Sequence, residues 1–426
     1  MKSALRIPIL ISLLLSALVA RPPTGAQAED APPASPAAAQ AVVDWARIEL
    51  RGGGRRPSLA LRPADGVPYL SFYESNLQRF FLGRYTGNGN HSCGGDPGWT
   101  CVSANNTPTA GDETRFSFDP NYPNWFGVAW SIPAQKSLYI SSFDLELGWL
   151  YTTDTFAADP GDPNSYVRPT DLMYANGSPL PVIEKLVKLY DGDYLKDFIA
   201  RRHGLNDPAP VERLMGSHSH GRYASLDLGA GDDGPLFANA TERLAYRANT
   251  GWLRFAQAKY DGNGTGCQDE FGAGTVDGSC AWVDNGVSVI ATDVLGPKCS
   301  GAGCAEVNRI FYVDATSGRL KLATRTGNAA HNCSGGVAGW SCGFIDSIAA
   351  GKSADGLRIS MAATGQGPGE MKIAYTDKDD GPNSVLKLAT YTGIAGDTCA
   401  AGGLTGWKCE VVDDGGSEGD NTGSEP

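Results

Sequence analysis

Short runs of alternating apolar and polar residues recur along the chain, separated by glycine-rich turns. Near the end of the chain such runs begin at Gly356, Met371, Val385 and Trp407. Period-two alternation with β-branched and aromatic side chains is typical of strands that bury one face. The pattern therefore predicts four short strands in this part of the chain and an all-β fold.

The four-strand pattern repeats. Three clear copies share a strand that ends in an aromatic residue, any residue and an acid, then a further strand, a Thr-Gly pair, a cysteine loop and W-x-C at the start of another strand. Two further copies, at Leu138 and Leu244, are weaker. Counted from the strand before it, the acid-ended strand is the second of four. The turn residues lie 70, 105, 65 and 63 residues apart, at Glu74, Asp144, Asn249, Asp314 and Asp377. Four-stranded units stacked around an axis form a β-propeller, whereas the repeats of a linear β-solenoid are shorter. We expect five blades, with six as the alternative if a divergent blade lies between 158 and 220.

The long gap contains a different pattern. Val182, Leu186, Tyr190, Tyr194 and Phe198 recur every four residues, which predicts an amphipathic helix, or a pair of helices broken at Asp191-Gly-Asp193. We expect one α-helical insertion at about 158–215, acting either as a structural cap or as a lid or partner-binding element.

The two ends of the chain predict export. A charged start, an apolar stretch and a small-residue end predict a signal peptide over 1–28, a disordered Ala/Pro leader over 29–44 and a disordered acidic tail over 414–426. The propeller then spans 45–413, and no later segment predicts a membrane span. A net charge of −12 argues against nucleic acid as a partner. We expect a secreted, periplasmic or cell-surface monomer.

Ten cysteines in an exported chain favour disulfides over zinc ligands. Three pairs stand at matching repeat positions eight, nine and ten residues apart, and a fourth matches at thirteen: Cys93 and Cys101, Cys333 and Cys342, Cys399 and Cys409, and Cys267 and Cys280. The fifth predicted pair is local, Cys299 and Cys304.

The motifs G-W-x-C, I-x-Y-x-D and L-K-L-A, present at Gly406–Cys409, Ile373–Asp377 and Leu386–Ala389, resemble the degenerate propeller repeats of exported bacterial proteins. The resemblance covers 45–413 apart from the insertion. That poorly characterised family implies a propeller fold and export, and it implies no chemistry.

Candidate chemistry is sparse, and no catalytic residue is predicted. The acids Glu74, Asp144, Asp314 and Asp377 would form a ring of carboxylates from which a glycosidase could take a pair, although an acid also suits the start of a turn. Two weaker patterns suggest metal: the pair His218 and His220, and a calcium-like loop with Asp261 and Asn263 that lacks its final glutamate, since Gly272 stands there. No cofactor is expected unless calcium binds at that loop.

The symmetric repeat without an asymmetric catalytic set favours a non-enzymatic binding or structural propeller, with a glycan or a surface protein as the expected ligand. The alternative is a glycoside hydrolase or lyase that uses carboxylates at the propeller axis, which rests on fold analogy alone. A four-strand meander places its turns alternately on two faces, so the disulfide loops share one face with the insertion and with the long connections between first and second strands. The copies differ most from each other on that face. We expect binding on that face.

Overall fold

The computed structural model describes residues 54–74, 77, 79–87, 98–105, 114–119, 122–146, 149–157, 166–175, 178–188, 194–202, 211–216, 222–228, 241–248, 251–259, 280–297, 305–327, 332–333, 339–348, 359–363, 365–377 and 385–413. All of these residues belong to the unit Ala46–Pro426. The predicted signal peptide, leader and acidic tail lie outside the described residues.

The strands form antiparallel four-stranded sheets, each a meander in chain order. Sheet 1 contains β1 (Gly54–Leu61), β2 (Pro68–Glu74), β3 (Arg79–Tyr85) and β4 (Trp99–Asn105). Sheet 2 contains β5 (Thr114–Phe118), β6 (Trp125–Ile132), β7 (Ser137–Asp144) and β8 (Trp149–Ala157), with a 3-10 turn at Pro133–Gln135. Sheet 3 contains β9 (Tyr166–Ala175), β10 (Ser178–Lys188), β11 (Tyr194–Arg202) and β12 (Val211–Gly216).

The second half continues in the same way. Sheet 4 contains β13 (Arg222–Leu228), β14 (Thr241–Arg247), β15 (Leu253–Lys259) and β16 (Cys280–Asp284). Sheet 5 contains β17 (Val289–Leu295), β18 (Arg309–Asp314), β19 (Arg319–Arg325) and β20 (Trp340–Ser347). Sheet 6 contains β21 (Ile359–Ala363), β22 (Met371–Asp377), β23 (Val385–Tyr391) and β24 (Trp407–Asp413).

The sheets are arranged as a β-propeller. The first strand of each sheet contacts the first strand of the next along the chain, from β1 with β5 to β17 with β21. The cores lie between sheets, because each buried cluster among the described residues takes its side chains from two neighbouring sheets. Phe311 and Val313 of sheet 5, for example, pack with Ile373 of sheet 6. Burial of large apolar side chains between blades is what a four-stranded sheet cannot achieve alone.

The repeat prediction is confirmed in register for sheets 1, 4, 5 and 6, and the remaining copy falls in sheet 2, where its aligned strand β7 is the third strand and not the second. In the last copy the four predicted strands are β21 to β24. One further four-stranded sheet, sheet 3, lies between 158 and 220, where the six-blade alternative placed a divergent blade.

The predicted helical insertion at about 158–215 is wrong. β10 and β11 pair antiparallel from Val182 with Ala200 to Lys188 with Tyr194. Asp191-Gly-Asp193, interpreted from sequence as a helix break, stands between the two strands, and an Asp-Gly pair between apolar runs is a strong hairpin signal. The β-branched residues Val182, Ile183 and Val187 also fit a strand better than a helix.

Disulfides close the connections between third and fourth strands. Cys333 is bonded to Cys342 and Cys399 to Cys409, as the spacing predicts. Cys101 is also disulfide-bonded, but its predicted partner Cys93 lies outside the described residues. Nothing is described of the side chains of Cys267, Cys280, Cys299 and Cys304. No helix among the described residues is long and apolar enough to cross a membrane.

Side chains on one first strand accept hydrogen bonds from the main chain of the next first strand. Ser58 Oγ accepts from Phe116 N at 3.0 Å, Ser225 Oγ from Val294 N at 3.3 Å, and Asp293 Oδ2 from Met361 N at 2.7 Å. First strands are sheet edges, so their outward main-chain groups need partners from elsewhere. We call these contacts edge caps.

Candidate binding site

The candidate site lies where sheets 5 and 6 meet, on the face that carries the disulfide loops, here called the disulfide face. A meander places the turns after its first and third strands at one end and the turn after its second strand at the other. The connection from β17 to β18, the turn from β21 to β22 and the stapled loop after β23 therefore lie at the same end. Together they surround one arginine, Arg309.

Arg309 is the first residue of β18, and its side chain extends from sheet 5 towards sheet 6. Nη1 donates to the main-chain oxygen of Gln366 at 3.5 Å and lies 3.0 Å from Met371 Sδ. The guanidinium carbon is 5.9 Å from the centre of the Tyr391 ring, which is cation–π range. Nε is buried and has no hydrogen-bond partner among the described residues.

Burial lowers the pKa of Arg309 from its ordinary value, while the charges of Tyr391 and Glu306 act in the opposite direction. An arginine nevertheless keeps its charge in proteins. Arg309 is therefore a cation that is partly removed from water, and its Nε–H has no acceptor among the described residues. Such a group gains from a ligand that supplies oxygen acceptors.

Gln366 fixes the walls around the arginine. Its side chain bonds both ways to the main chain of Val307, with Oε1 accepting from N at 3.0 Å and Nε2 donating to O at 2.7 Å. Nε2 also donates to Gly296 O at 3.3 Å, and the Gln366 N–H donates to Glu306 Oε1 at 3.0 Å. Gln366 thus joins the β21–β22 turn of sheet 6 to the β17–β18 connection of sheet 5.

An aromatic wall and a rigid loop complete the site. The half-buried Tyr391 ring packs 5.2 Å from that of Trp407, which is itself 1% exposed. Thr392 binds Asp397 Oδ2 at 2.6 Å and Gly406 O at 3.1 Å, and the Cys399–Cys409 disulfide closes the same loop. Ile394, which is 55% exposed, stands at the rim. A rigid aromatic surface beside a cation suits recognition of a hydroxyl-rich ring with an apolar face.

The predicted turn acids are engaged elsewhere. Asp314 Oδ1 accepts from the N–H groups of Thr316 at 3.0 Å and Ser288 at 3.1 Å, and Oδ2 from the Ser317 hydroxyl at 2.6 Å. Glu74 accepts from the N–H of Leu77 at 2.6 Å. These contacts are those of turn residues, and they place both acids at the opposite end of the sheets from Arg309.

Asp144 does not share that end. Sequence reasoning placed it at the end of a second strand, but β7 is the third strand of its sheet, and Asp144 pairs with Trp125 at the start of the second. It accepts from the N–H of Glu146 at 2.8 Å and starts the turn into β8. The expected ring of four carboxylates at one end is therefore wrong for Asp144.

Asp314 and Asp377 also belong to a buried lock that occurs twice between sheets. At the boundary of sheets 5 and 6, the Tyr375 hydroxyl donates to Asp346 Oδ2 at 2.6 Å, and Lys387 bridges Asp346, at 3.3 Å, and Asp377. Burial disfavours the charge of Lys387, but its bonds to Asp377 and Asp346 outweigh this and raise its pKa.

Asp284, Asp314, Tyr312 and Lys321 repeat the lock between sheets 4 and 5, with the Tyr312 hydroxyl 2.6 Å from Asp284 Oδ2. Burial, followed by the charge of Asp284, raises the pKa of Tyr312 well above its ordinary value. Each pair of carboxylates shares one lysine, and a tyrosine of the following sheet donates to one of the two acids. Because the arrangement recurs, it serves to join the sheets.

Two acids on first strands bear on the hydrolase alternative. Asp293 accepts from the Ser225 hydroxyl at 3.0 Å as well as from Met361 N, and Asp227 Oδ2 accepts from Gly296 N at 2.5 Å. Both carboxylates therefore bind neighbouring sheets. The structure gives neither acid the free, opposed position that a glycosidase pair requires.

The predicted metal ligands His218, His220, Asp261 and Asn263 lie outside the described residues. Within the described part of the chain, no group of three or more acidic, histidine or cysteine side chains is placed to hold a metal ion.

Sequence reasoning missed Arg309, although the repeat contains a signal for it. A cation stands three residues before the strand tyrosine in three copies, as Arg243 before Tyr246, Arg309 before Tyr312 and Lys372 before Tyr375. The environments differ: Arg243 is 6% exposed and packs on Gly296, where a Cβ would lie 2.7 Å from its Nη1. The position in the repeat therefore does not distinguish the buried Arg243 from Arg309 at the candidate site.

No family model matches the chain, and no curated protein matches it. Among solved structures, the chain is similar to the SapL1 lectin in complex with alpha methyl fucoside, at 10% identity and a TM-score of 0.43, over 82% of this chain and 97% of that chain. It is also similar to a protein of unknown function from Dyadobacter fermentans DSM 18053, at 8% identity and a TM-score of 0.41, over 78% of this chain and 92% of that chain. Neither likeness supports an assignment of function at these values.

Proposed function

We propose that this protein is an exported, non-enzymatic propeller that binds glycans on its disulfide face, at the boundary of sheets 5 and 6. One observation carries the proposal. The Arg309 guanidinium stands between two sheets with a buried Nε that lacks a partner among the described residues, 5.9 Å from the Tyr391 ring. Sugar hydroxyls would accept from the guanidinium, and the apolar face of a sugar ring would pack on the tyrosine.

Two further features support binding over scaffolding. The walls of the site are fixed before any ligand arrives, by the Gln366 bonds and by the Cys399–Cys409 disulfide, and preorganisation lowers the entropic cost of binding. Disulfides persist in oxidising compartments, which fits the predicted export. Among the described residues, the acids considered for a hydrolase accept hydrogen bonds within turns, as Glu74 does, or between sheets, as Asp293 does. We therefore favour binding without turnover.

The test starts with a glycan array on the full mature chain, followed by titration calorimetry of a glycan found on the array. Arg309→Met keeps the length of the side chain but removes its donors, and we expect at least a tenfold rise in Kd, since a hydrogen bond to a charged group contributes about 1.5 kcal/mol or more. Tyr391→Ala should weaken binding as well.

The matched control is Arg319→Met. Arg319 is an exposed arginine that also stacks on an aromatic ring, 4.1 Å from the centre of Phe344, but it follows the turn at the opposite end of the sheets. Its replacement should leave Kd unchanged. The proposal fails if the wild-type chain binds no glycan on the array, or if Arg309→Met and Arg319→Met bind alike.

A further inference from the structure

The boundary between sheets 5 and 6 is covered at its outer part by the stapled loop 392–406. Leu404 N in this loop donates to Phe344 O of the outer strand β20 at 2.7 Å, and a Cβ at Gly343 would lie 2.6 Å from the Leu404 side chain. In sheet 2, only residues 145–148 connect β7 to β8, and they contain no cysteine. Sheet 2 therefore has no stapled loop to cover the outer part of sheet 1.

The outer strand of sheet 1 is accordingly open to solvent. Val102 follows a cysteine of β4 as Gly343 follows one of β20, and Val102 is 54% exposed. It pairs with Leu82, whose side chain packs in the cluster shared with sheet 2. Because cross-strand partners lie on one face of a sheet, Val102 also faces sheet 2.

A groove results at the disulfide face, here called the sheet 1–2 groove. On sheet 1, Arg84 pairs with Thr100 beside Val102, and all three residues are exposed. On sheet 2, Phe143 and Leu145 are half-buried against the shared cluster. The groove thus has a cation on one wall and apolar side chains on both walls.

A buried phenol lies next to this cation. Tyr69 is the cross-strand partner of Arg84 and stands three residues before the second-strand aromatic, as Arg309 does in sheet 5. Its side chain is 4% exposed, among the rings of Phe118 and Phe126 from sheet 2. The Tyr69 hydroxyl has no hydrogen-bond partner among the described residues. A buried hydroxyl of this kind gains from a ligand that supplies an acceptor.

The charges around the phenol favour an anion. The guanidinium carbon of Arg84 lies 5.7 Å from the centre of the Tyr69 ring, and Arg84 forms no ion pair among the described residues. Arg62 is already bound by Asp65, with Nε donating to Oδ1 at 2.8 Å. Burial raises the pKa of Tyr69, whereas the charges of Arg84 and Arg62 act in the opposite direction. The phenol therefore stays a donor, and a carboxylate could accept from it and from Arg84.

We propose that the sheet 1–2 groove binds an acidic sugar, namely a uronic acid residue, through Arg84 and the Tyr69 hydroxyl. Arg84 lies over the Tyr69 ring, so its movement towards the carboxylate opens the way to the hydroxyl. The apolar face of the sugar ring packs on Val102 and Phe143. This site is at another boundary than Arg309, and the proposal does not depend on that site.

The test is an NMR titration of the full mature chain with glucuronic acid, carried out in the Arg309→Met background so that the site between sheets 5 and 6 is not measured. Glucose, which lacks the carboxylate, should bind at least about tenfold more weakly. Adding Arg84→Met should raise the Kd for glucuronic acid by at least about tenfold. Arg79→Met is the matched control, because Arg79 is exposed at the other end of the same strand, and it should leave the Kd unchanged.

Tyr69→Phe separates binding from a structural role. It should raise the Kd roughly threefold or more, yet leave the Tm unchanged or higher, since the hydroxyl that it removes has no partner in the free protein. A lower Tm would contradict the assignment of this hydroxyl to a ligand. The proposal is overturned if glucuronic acid does not bind in the Arg309→Met background, if Arg84→Met and Arg79→Met bind alike, or if acetate binds as tightly as glucuronic acid.

Discussion

The buried lock at Tyr375 allows a quantitative test of how the sheets are joined. Tyr375→Phe keeps the ring, which is fully buried, and removes only the hydroxyl that lies 2.6 Å from Asp346 Oδ2. A hydrogen bond to a charged group contributes about 1.5 to 3 kcal/mol, and its loss also leaves a buried carboxylate less satisfied. Lys387 still contacts Asp346 at 3.3 Å, so the loss should stay within that range.

The assay is equilibrium urea denaturation followed by tryptophan fluorescence, with an unchanged m-value as the condition for comparing variants. Tyr312→Phe, which removes the equivalent hydroxyl from Asp284, should cost a similar amount. Tyr391→Phe, where the ring is half-buried, is the control and should change the free energy of unfolding by less than about 0.5 kcal/mol. A Tyr375→Phe variant as stable as Tyr391→Phe would refute the view that the lock holds sheets 5 and 6 together.

Three further outcomes follow from the same contacts. The pKa of Lys387 is raised in the folded state, so its contribution to stability is complete below the unfolded pKa and is lost as pH rises through the folded pKa. Wild type should therefore lose stability above pH 10.5, the ordinary pKa of lysine, and Lys387→Met should flatten this loss. Parallel profiles of stability against pH for the two proteins would contradict this. Replacing both Cys399 and Cys409 by serine should lower the free energy of unfolding, measured by denaturant titration, by about 2 to 3 kcal/mol, the range expected for a short disulfide-closed loop. An unchanged free energy of unfolding would show that hydrogen bonds alone hold the loop. Gly406→Ala should lower the free energy of unfolding by about 1 to 2 kcal/mol, because φ is +85° and a Cβ would lie 3.1 Å from the Tyr391 ring. Gly396→Ala is the control: a Cβ there would have no atom within 4 Å, so the same titration should show no change.

The stapled copies could be predicted because several local signals agree there. In the last copy the alternating runs, the Thr392–Gly393 pair and the W-x-C ending at Cys409 all indicate the same meander, and the structure has β21 to β24 in those places. Consistency between pattern and turn chemistry is what makes a local inference dependable.

Sheet 3 could not be predicted in this way because two periods compete in its sequence. Val182, Leu186 and Phe198 fit a four-residue spacing although they lie in strands. Because side chains alternate with a period of two along a strand, residues four apart lie on one face of a strand as they nearly do on a helix, so this spacing does not distinguish the two. The hairpin signal at Asp191-Gly-Asp193 was present but was interpreted as a helix break. Without a cysteine pair in this segment, nothing aligned it with the other copies.

The candidate site was harder still, because it depends on contacts between copies. The disulfide face could be inferred from loop lengths, but Arg309 and Gln366 meet across two sheets and lie 57 residues apart in the chain. Asp314 and Asp377, singled out from sequence as possible ligands, are instead bound by neighbouring groups of the protein.

Where they are described, the edge caps give a sheet a direction, because its first strand supplies the acceptor and the first strand of the next sheet supplies the N–H donor. A tandem duplication of one four-stranded sheet would place an acceptor beside an N–H donor at both of its junctions. A sheet could therefore be gained or lost in evolution without a new kind of interface between sheets. A single sheet released by proteolysis would expose an uncapped edge and would be prone to pair with other chains.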